Sequence, residues 1–578
     1  MQIAQLIDFR LLSFSRQRNI KYMPAADNLN TPVAISGGGP VGLVLALFLD
    51  RHGVPSVVFN TEDTSRWHPK GSTHNSRTME HYRRLGISAA VRRLGLPHDH
   101  PTDVVYLTRF NGWELARIRM PSEAEKMAAA AAAPRTAQNF EPIHRANQMY
   151  VEEFLLRHAR SRPNITLRFG WRVDSFSEDT AGITLQAERV ADGAREQWRS
   201  AYLAGCDGGQ SQVRRTLGIR YRGFDRLDQA FIGGRMVSTY IRAPSLYPDF
   251  FGARRAWQYW VVNPQARNAL VALNGKDEFI YWTKLANDAD EPDDEVIRRS
   301  LFQAAGTEVP VEIIGHRPWS AGVALWAERF SDGSRIFLAG DAIHLFTPTG
   351  GFGMNTGIDD AANLAWKLAA MVQGWGGPRL LAGFELERMP IASRNTLAAR
   401  ELAKNVGEVQ APQEMEQDSA RGEAARRVAG DYLATFGEEF ASIGVQLGVR
   451  YDGSPLIVPD GTPPADDFLN YAPSGVPGGR APHLWLGDGP ARTSLFDLFG
   501  IGFTLLRLGP QAANAGELAS AAARGGIPLD VIDVPNGEAR DLYGRNLALI
   551  RPDQHICWRG DALPGDCEAL LNTITGRY

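Results

Sequence analysis

Positions 33–35 are uniformly apolar (Val33, Ala34, Ile35), the chain then breaks into glycines, and 43–49 is again almost wholly apolar before Gly53. A short apolar run ending in glycine predicts a buried strand. The longer run predicts a helix buried on most sides and closed by a C-terminal glycine. Residues 56–59 read as the next strand, so a βαβ unit opens at residue 32. Between 224 and 330 the rhythm changes to short β-rich segments at 231–241, 257–263, 270–274 and 279–283, crowded with Trp257, Tyr259, Trp260, Phe279, Tyr281 and Trp282. They predict a sheet whose rings form a core or wall a pocket. Strand character returns at 335–339, followed by a long helix. Residues 400–480 are charged and then rich in Pro and Gly, which predicts helices and a linker. Beyond 483, strand-like runs at 503–508, 528–534 and 547–550 predict a small α/β domain. Six consecutive alanines (128–133) predict a surface loop or an irregular helix.

Composition narrows the partners. The 578 residues are 44% hydrophobic and 22% charged, with a net charge of -3. That balance suits several soluble domains and gives no reason to expect nucleic acid or an anionic membrane. No apolar run reaches the roughly 18 residues of a membrane span. Three cysteines (Cys206, Cys557, Cys567) cannot build a disulfide framework and fit a reducing cytoplasm; no His/Cys spacing suggests a metal site. Arg10, Arg16, Arg18 and Lys21 precede the first strand. A transit peptide is one reading of this segment, though Arg10 and Arg16 break any signal-peptide apolar core; the expectation is an extension with little order, or one upstream of a start at Met23.

Two glycine motifs carry chemistry. Gly37-x-Gly39-x-x-Gly42 leaves a strand and opens a helix, where tight turns and exposed amides can hold a pyrophosphate. The acid usually found about 20 residues on, at the ribose, is replaced by Asn60, with Glu62 beyond. In the second, the strand at 335–339 ends on Gly340-Asp341, followed by His344, then Thr347-Pro348-Thr349-Gly350-Gly351-Phe352-Gly353-Met354-Asn355. The carboxylate can bind a polyol hydroxyl, and the loop can lie flat on a planar ring. The helix beginning near Asn355 aims its positive end at that ring, which favours an anionic reduced flavin. Between them stands Gly205-Cys206-Asp207-Gly208-Gly209.

In these motifs and their order the chain resembles the single-component flavoprotein aromatic hydroxylases, including the p-hydroxybenzoate, phenol and chlorophenol hydroxylases, over residues 32 to about 400. Ser494-Leu495-Phe496-Asp497 through Leu506, with Arg551-Pro552-Asp553, resembles the thioredoxin-like domain of the phenol hydroxylase branch. The resemblance implies an α/β fold: a Rossmann-like FAD-binding domain (32–223 and 331–400), an inserted β-sheet substrate domain (224–330, with a part near 100–145), a helical and linker segment (401–482) and a thioredoxin-like domain (483–578). It implies FAD held by Gly37, Gly39, Gly42, Asn60, Arg77, Gln148, Asp207, Gly340 and Asp341, with Pro348, Gly351, Gly353, Met354 and Asn355 around the isoalloxazine. NADH or NADPH is the implied co-substrate, a small aromatic molecule and O2 are the partners, and a homodimer is expected. The tail, which has no CxxC pair, is expected to lack redox activity and to serve dimerisation or cover the substrate domain.

The implied reaction places one oxygen atom on a phenolic ring through a flavin C4a-hydroperoxide, which requires the phenol to ionise and water to be excluded. Arg235 and Tyr259 are the candidate substrate contacts. Relatives carry an acid or a histidine five residues before the motif arginine. Here that position is Ser72, and an extended chain would put His74 on the same face, making His74 the candidate base; His344 and His316 are weaker candidates. Baeyer–Villiger or epoxidising chemistry, expulsion of a ring substituent, and a non-catalytic flavin-binding role remain open. The Trp-x-Trp-x-Ile-Pro pattern of flavin halogenases is absent; the nearest segment is Trp257-Gln258-Tyr259-Trp260-Val261.

Overall fold

The protein is described by a computed structural model covering residues 29–225, 234–285, 293–406, 409–489, 492–510 and 514–578. The expected N-terminal extension lies outside the described residues up to 28, as do 231–233 of the strand expected at 231–241.

The apolar run at 33–35 belongs to a longer strand, Leu29–Ser36, at the centre of the first sheet. It pairs in parallel with Ser56–Asn60 on one side and with Arg195–Gly205 on the other. Ile165–Phe169 extends the sheet in parallel, and Ile336–Leu338 pairs in parallel with the end of Arg195–Gly205. Trp171–Asp179 and Gly182–Arg189 complete it as an antiparallel hairpin. Helix Pro40–Arg51 is buried along nearly its whole length, as its uninterrupted apolar sequence requires, and packs against helix Phe352–Gln373. Pro40 at its first turn has no amide to lose there. Gly53 closes it with φ +71° and donates its amide to Asp50 O at 2.9 Å.

The second sheet runs in the order Glu312–Ala321, Gly234–Arg242, Glu278–Lys284, Arg267–Ala272, Gln258–Val262, Val104–Leu107, Glu114–Ile118. All pairs are antiparallel except Gln258–Val262 with Val104–Leu107. Residues 401–482 contribute more than a linker. Helix Ala420–Leu433 lies against Glu114–Ile118, and Met415, Ala429, Leu433 and Phe436 are buried in the same core as Val105, Tyr259 and Tyr281. The alanine run is a regular helix, Glu123–Ala132. Ser122 and Glu125 form a capping box at its start, and alanine is the strongest helix former.

The tail forms a four-stranded sheet, Leu529–Val534, Phe503–Leu508, Leu547–Ile550 and Ile556–Gly560 in that order. Its core runs into the first domain: the Trp366 and Trp375 rings stack at 6.3 Å and both meet Phe503 edge-on. The tail therefore packs on helix Phe352–Gln373, and it also meets the 130–140 part of the segment assigned to the substrate domain, where the Phe140 and His483 rings stack at 3.8 Å. Buried charge also crosses the junction. Arg480 Nε donates to Glu80 Oε2 at 2.9 Å, Arg77 Nη1 donates to the same oxygen at 2.8 Å, and Arg77 Nη2 donates to Asp553 O at 2.7 Å. Arg551 holds Glu387 at 2.6 and 2.8 Å, and Lys367 joins Glu387 at 2.6 Å. Breaking one such buried pair costs about 3–5 kcal/mol, because it leaves a charge without solvent or partner.

Candidate active site

Register brings the three motifs together. Ser36 pairs with Gly205 and Gly205 with Leu338, so the loops that follow these strands leave the carboxyl edge of one parallel sheet side by side. This is where open α/β sheets bind ligands. Gly37 (φ +109°) lies against the second loop, and a Cβ there would stand 2.2 Å from Cys206 O. A Cβ at Gly42 would stand 2.0 Å from Gly37 O, so that glycine serves helix-to-turn packing and does not reach the cavity.

A single cavity of about 880 Å3 opens on these loops. One end is walled by Gly37, Gly39, Asn60, Gln148, Cys206, Asp207 and Asp341, and the loop from Pro348 to Met354 runs along it. The other end is walled by Trp257, Trp260, Trp282, Trp319 and Phe440, with Ser238, Gln258 and Arg317 among them. The indoles meet edge to face, Trp260 to Trp282 at 6.5 Å and Trp282 to Trp319 at 6.1 Å. Such walls favour flat apolar ligands and exclude water.

The first end fits a dinucleotide cofactor. Helix Pro40–Arg51 has no side-chain cap at Gly39, and helix Phe352–Gln373 has none at Gly351, so neither N-terminus has its free amides capped by a side chain. A Cβ at Gly39 would meet no protein atom within 4 Å, which leaves open space over the turn. Asp207 Oδ2 accepts from the Gln212 and Val213 amides at 2.8 and 3.1 Å, while its buried Oδ1 has no hydrogen-bond partner. Asn60 Oδ1 accepts from the Gly38 amide at 3.1 Å, and Gln148 donates to Glu152.

Several expected site residues lie elsewhere. Arg77 is buried among Glu80, Gln554 and Asp553 and joins the C-terminal domain; it does not line the cavity. Gly340 is behind the wall, its amide donating to Asp360 Oδ2 at 3.2 Å. Asn355 is a clamp: Nδ2 donates to Thr73 O at 2.9 Å and to Gly351 O at 2.6 Å, and Oδ1 accepts from the Asn75 amide at 2.9 Å. Tyr259 points into the core, stacked on Phe251 at 3.6 Å, its hydroxyl accepting from the Ala256 amide at 2.7 Å. Its strand neighbours Gln258 and Trp260 face the cavity instead. Ser238 does likewise on its strand, and alternation turns Arg235 to the opposite face.

Ser72 lines the cavity, with Oγ accepting from Asn147 Nδ2 at 3.2 Å. His74 does not. It is fully buried, Nε2 lies 3.1 Å from Ala146 O, and Nδ1 lies 3.3 Å from the Tyr82 hydroxyl. Burial, helped by nearby His144, pulls its pKa down to about 3. The strand Thr73–His74 is only two residues long, so the expected alternation does not extend back to Ser72. His344 is likewise buried, with Nε2 2.7 Å from Asp360 Oδ2, and His316 faces Asp294 at 3.2 Å.

Several charged residues at the cavity wall escaped the sequence reading, among them Arg66, Lys70, Arg172, Arg215 and Arg317. Two more, Arg145 and Glu439, stand beside the flavin loop. Arg145 is buried on the short strand His144–Arg145; its guanidinium carbon sits 4.0 Å from the centre of the Trp257 ring, and Nη1 donates to Thr73 Oγ1. Glu439, half-buried on the helix Glu438–Ala441, accepts from the Gly350 amide at 3.1 Å through Oε1. Burial pushes its carboxyl up to about 7, opposed by the Gly350 hydrogen bond and the Arg145 charge. The same burial lowers Arg145 to about 10. No periodicity marks either residue, since tertiary folding alone brings them to the flavin-loop side.

Comparison with known proteins agrees with this geometry. A family model described as FAD binding domain matches residues 30–399, and one described as aromatic-ring hydroxylase, C-terminal, matches 474–577. FAD-dependent monooxygenase apdD of Emericella nidulans is 32% identical, over 96% of this chain and 91% of its own. The 2,4-dichlorophenol 6-monooxygenase of Delftia acidovorans is 30% identical, over 92% of this chain and 95% of its own. The solved structure of RebC with bound 7-carboxy-K252c matches with a TM-score of 0.84 at 32% identity, covering 95% of this chain and all of that one. The chain belongs to the FAD-dependent aromatic-ring hydroxylases.

Proposed function

We propose that the protein is a monooxygenase that hydroxylates a phenolic ring system, drawing electrons from NADH or NADPH and oxygen from O2. One observation carries this reading: a single cavity joins the glycine-motif loops to a chamber walled by four tryptophans. Bound FAD supplies the redox and oxygen-transfer chemistry. The protein's residues supply position and solvent exclusion. Gly37, Gly39, Asp207 and Asp341 hold the cofactor's phosphate and polyol parts, the loop from Pro348 to Met354 frames its ring, and Trp257, Trp260, Trp282 and Trp319 hold an aromatic substrate flat and dry beyond it. The name of the 2,4-dichlorophenol 6-monooxygenase relative, which specifies a phenol, supports the phenolic part of this reading.

The experiment is a screen of phenols for stimulated oxidation of NADH and NADPH by the flavin-loaded protein under 18O2. The expected product is a phenol that has gained one 18O as a new ring hydroxyl. A product with an opened or expanded ring would redirect the reading to Baeyer–Villiger chemistry. Stimulation by no phenol, with flavin bound, would overturn it.

A further inference from the structure

We propose that Arg145 and Glu439 together receive an acidic oxygen of the aromatic substrate, Arg145 as its charge partner and Glu439 as the acceptor of its proton. This deepens the hydroxylase reading and rests on it for the nature of the ligand.

The placement is the first ground. Both residues line the cavity between the flavin loop and the tryptophan chamber, Glu439 tied to Gly350 and Arg145 laid on the face of Trp257. The second is charge. Arg145 is only 5% exposed, yet among the described residues no carboxylate lies within 4.0 Å of it; it has the Thr73 hydroxyl and an indole face instead. A buried guanidinium is ordinarily paired, and one whose facing carboxylate, Glu439, stands beyond ion-pair distance at a ligand cavity is a ready site for an anionic oxygen. The third is the match of acid to task. Glu439 is faced by Arg145 and the Gly350 amide, with the Tyr106 hydroxyl close enough to feel its charge. Its carboxyl, displaced toward neutrality, can take a proton near pH 7 and release it again.

The step is a proton transfer. The substrate O–H bond breaks, its proton moves to a carboxylate oxygen of Glu439, and the electron pair stays on the substrate oxygen, whose negative charge faces Arg145. No electrons are exchanged with any other group. This assigns to Glu439 the role that the sequence reading gave to His74, which does not reach the cavity.

The test reads binding and ionisation, not oxygen insertion, so its failure is separable from failure of the hydroxylase reading. The probes are 2-naphthol and its methyl ether, 2-methoxynaphthalene, titrated into the FAD-loaded protein, with affinity from tryptophan fluorescence and ionisation from naphtholate absorbance. The parent protein should prefer naphthol at least about tenfold and show naphtholate absorbance at pH 7. Arg145→Met should abolish the preference while holding the ether within about twofold of its parent affinity. Arg145→Lys, which keeps the charge, should restore part of the preference, and retained flavin absorbance confirms an intact site. Glu439→Gln should still bind naphthol but show naphtholate only at a pH at least about one unit higher, and Glu439→Asp should fall between. No preference in the parent protein, a preference that survives Arg145→Met, or naphtholate unchanged by Glu439→Gln would overturn the proposal.

Discussion

The two ends of the cavity are built from different materials. The cofactor end depends on backbone: turns at Gly37 and Gly39, bare helix N-termini, and a loop whose course depends on glycines, with Asp207 and Asp341 among the charged side chains that line it. The substrate end is side chain: four indoles, Phe440, Gln258, Arg145 and Glu439, drawn from three strands of the second sheet and from segments near 145 and 440. Backbone geometry tolerates few residues at a given position, whereas a side-chain wall can change its members and keep its shape. Substitutions should therefore lose the flavin at one end and change the ligand at the other.

The largest effect is expected at the cofactor end. Gly37→Val puts atoms into the space of the Cys206 carbonyl, and FAD affinity should fall about a hundredfold, ~3 kcal/mol. Asp341→Ala, which disturbs no packing of that kind, should weaken FAD less but clearly. Flavin fluorescence titration checks both, and full flavin retention in Gly37→Val would break the comparison. Trp260→Ala should do the reverse, weakening an aromatic ligand by about 2 kcal/mol, roughly thirtyfold, with FAD content unchanged.

Titration sharpens the line between wall and framework. His74, His52 and His483 are buried, and desolvation foremost holds each near a pKa of about 3. The folded protein keeps them neutral, while an unfolded chain takes up protons below about 6.5. Their stability contribution is thus complete above pH 6.5 and is lost as the pH falls toward 3, by up to about 1.4 kcal/mol per unit for each group. Denaturant midpoints from pH 7 to 4 should fall accordingly, and His74→Asn should flatten the slope. A slope unchanged by that substitution would return His74 to contact with solvent. The smallest effect belongs to Tyr259→Phe, which loses the hydrogen bond from the Ala256 amide and should cost about 1 kcal/mol of stability. Its naphthol affinity should stay at the parent value; a changed affinity would put Tyr259 back in the wall.

The same division explains what could be read from the chain. The glycine motifs and the closing Gly53 declare themselves because a backbone conformation demands a residue type, and the strand at 503–508 because most of its positions are buried and apolar. The substrate wall does not. On the strand Gln258–Val262 an error of one position exchanges Trp260 for Tyr259 and the cavity for the core, and the aromatic pattern is the same on both faces. Arg77 carries a motif's identity but spends its donors on Glu80, Gln554 and Asp553, partners set by the docking of a distant domain. Glu439 sits in a charged stretch whose composition resembles any solvated helix. Its importance arises only when Ala420–Leu433 packs beside the second sheet and carries the chain back to Gly350.

The buried charges at the domain junction bear on which stretch of chain can be inherited intact. Every residue at the cavity wall precedes 447, so a gene ending there would encode the complete site. Such a product would nonetheless leave Glu80 without Arg480, Arg77 without Asp553 and Gln554, and Trp366 without the Phe503 ring. Recombination that exchanged the tail would have to carry these partners across together. Lineages of this enzyme are thus expected to diversify by changing the residues of the chamber while passing on the tail and the first domain as one linked piece.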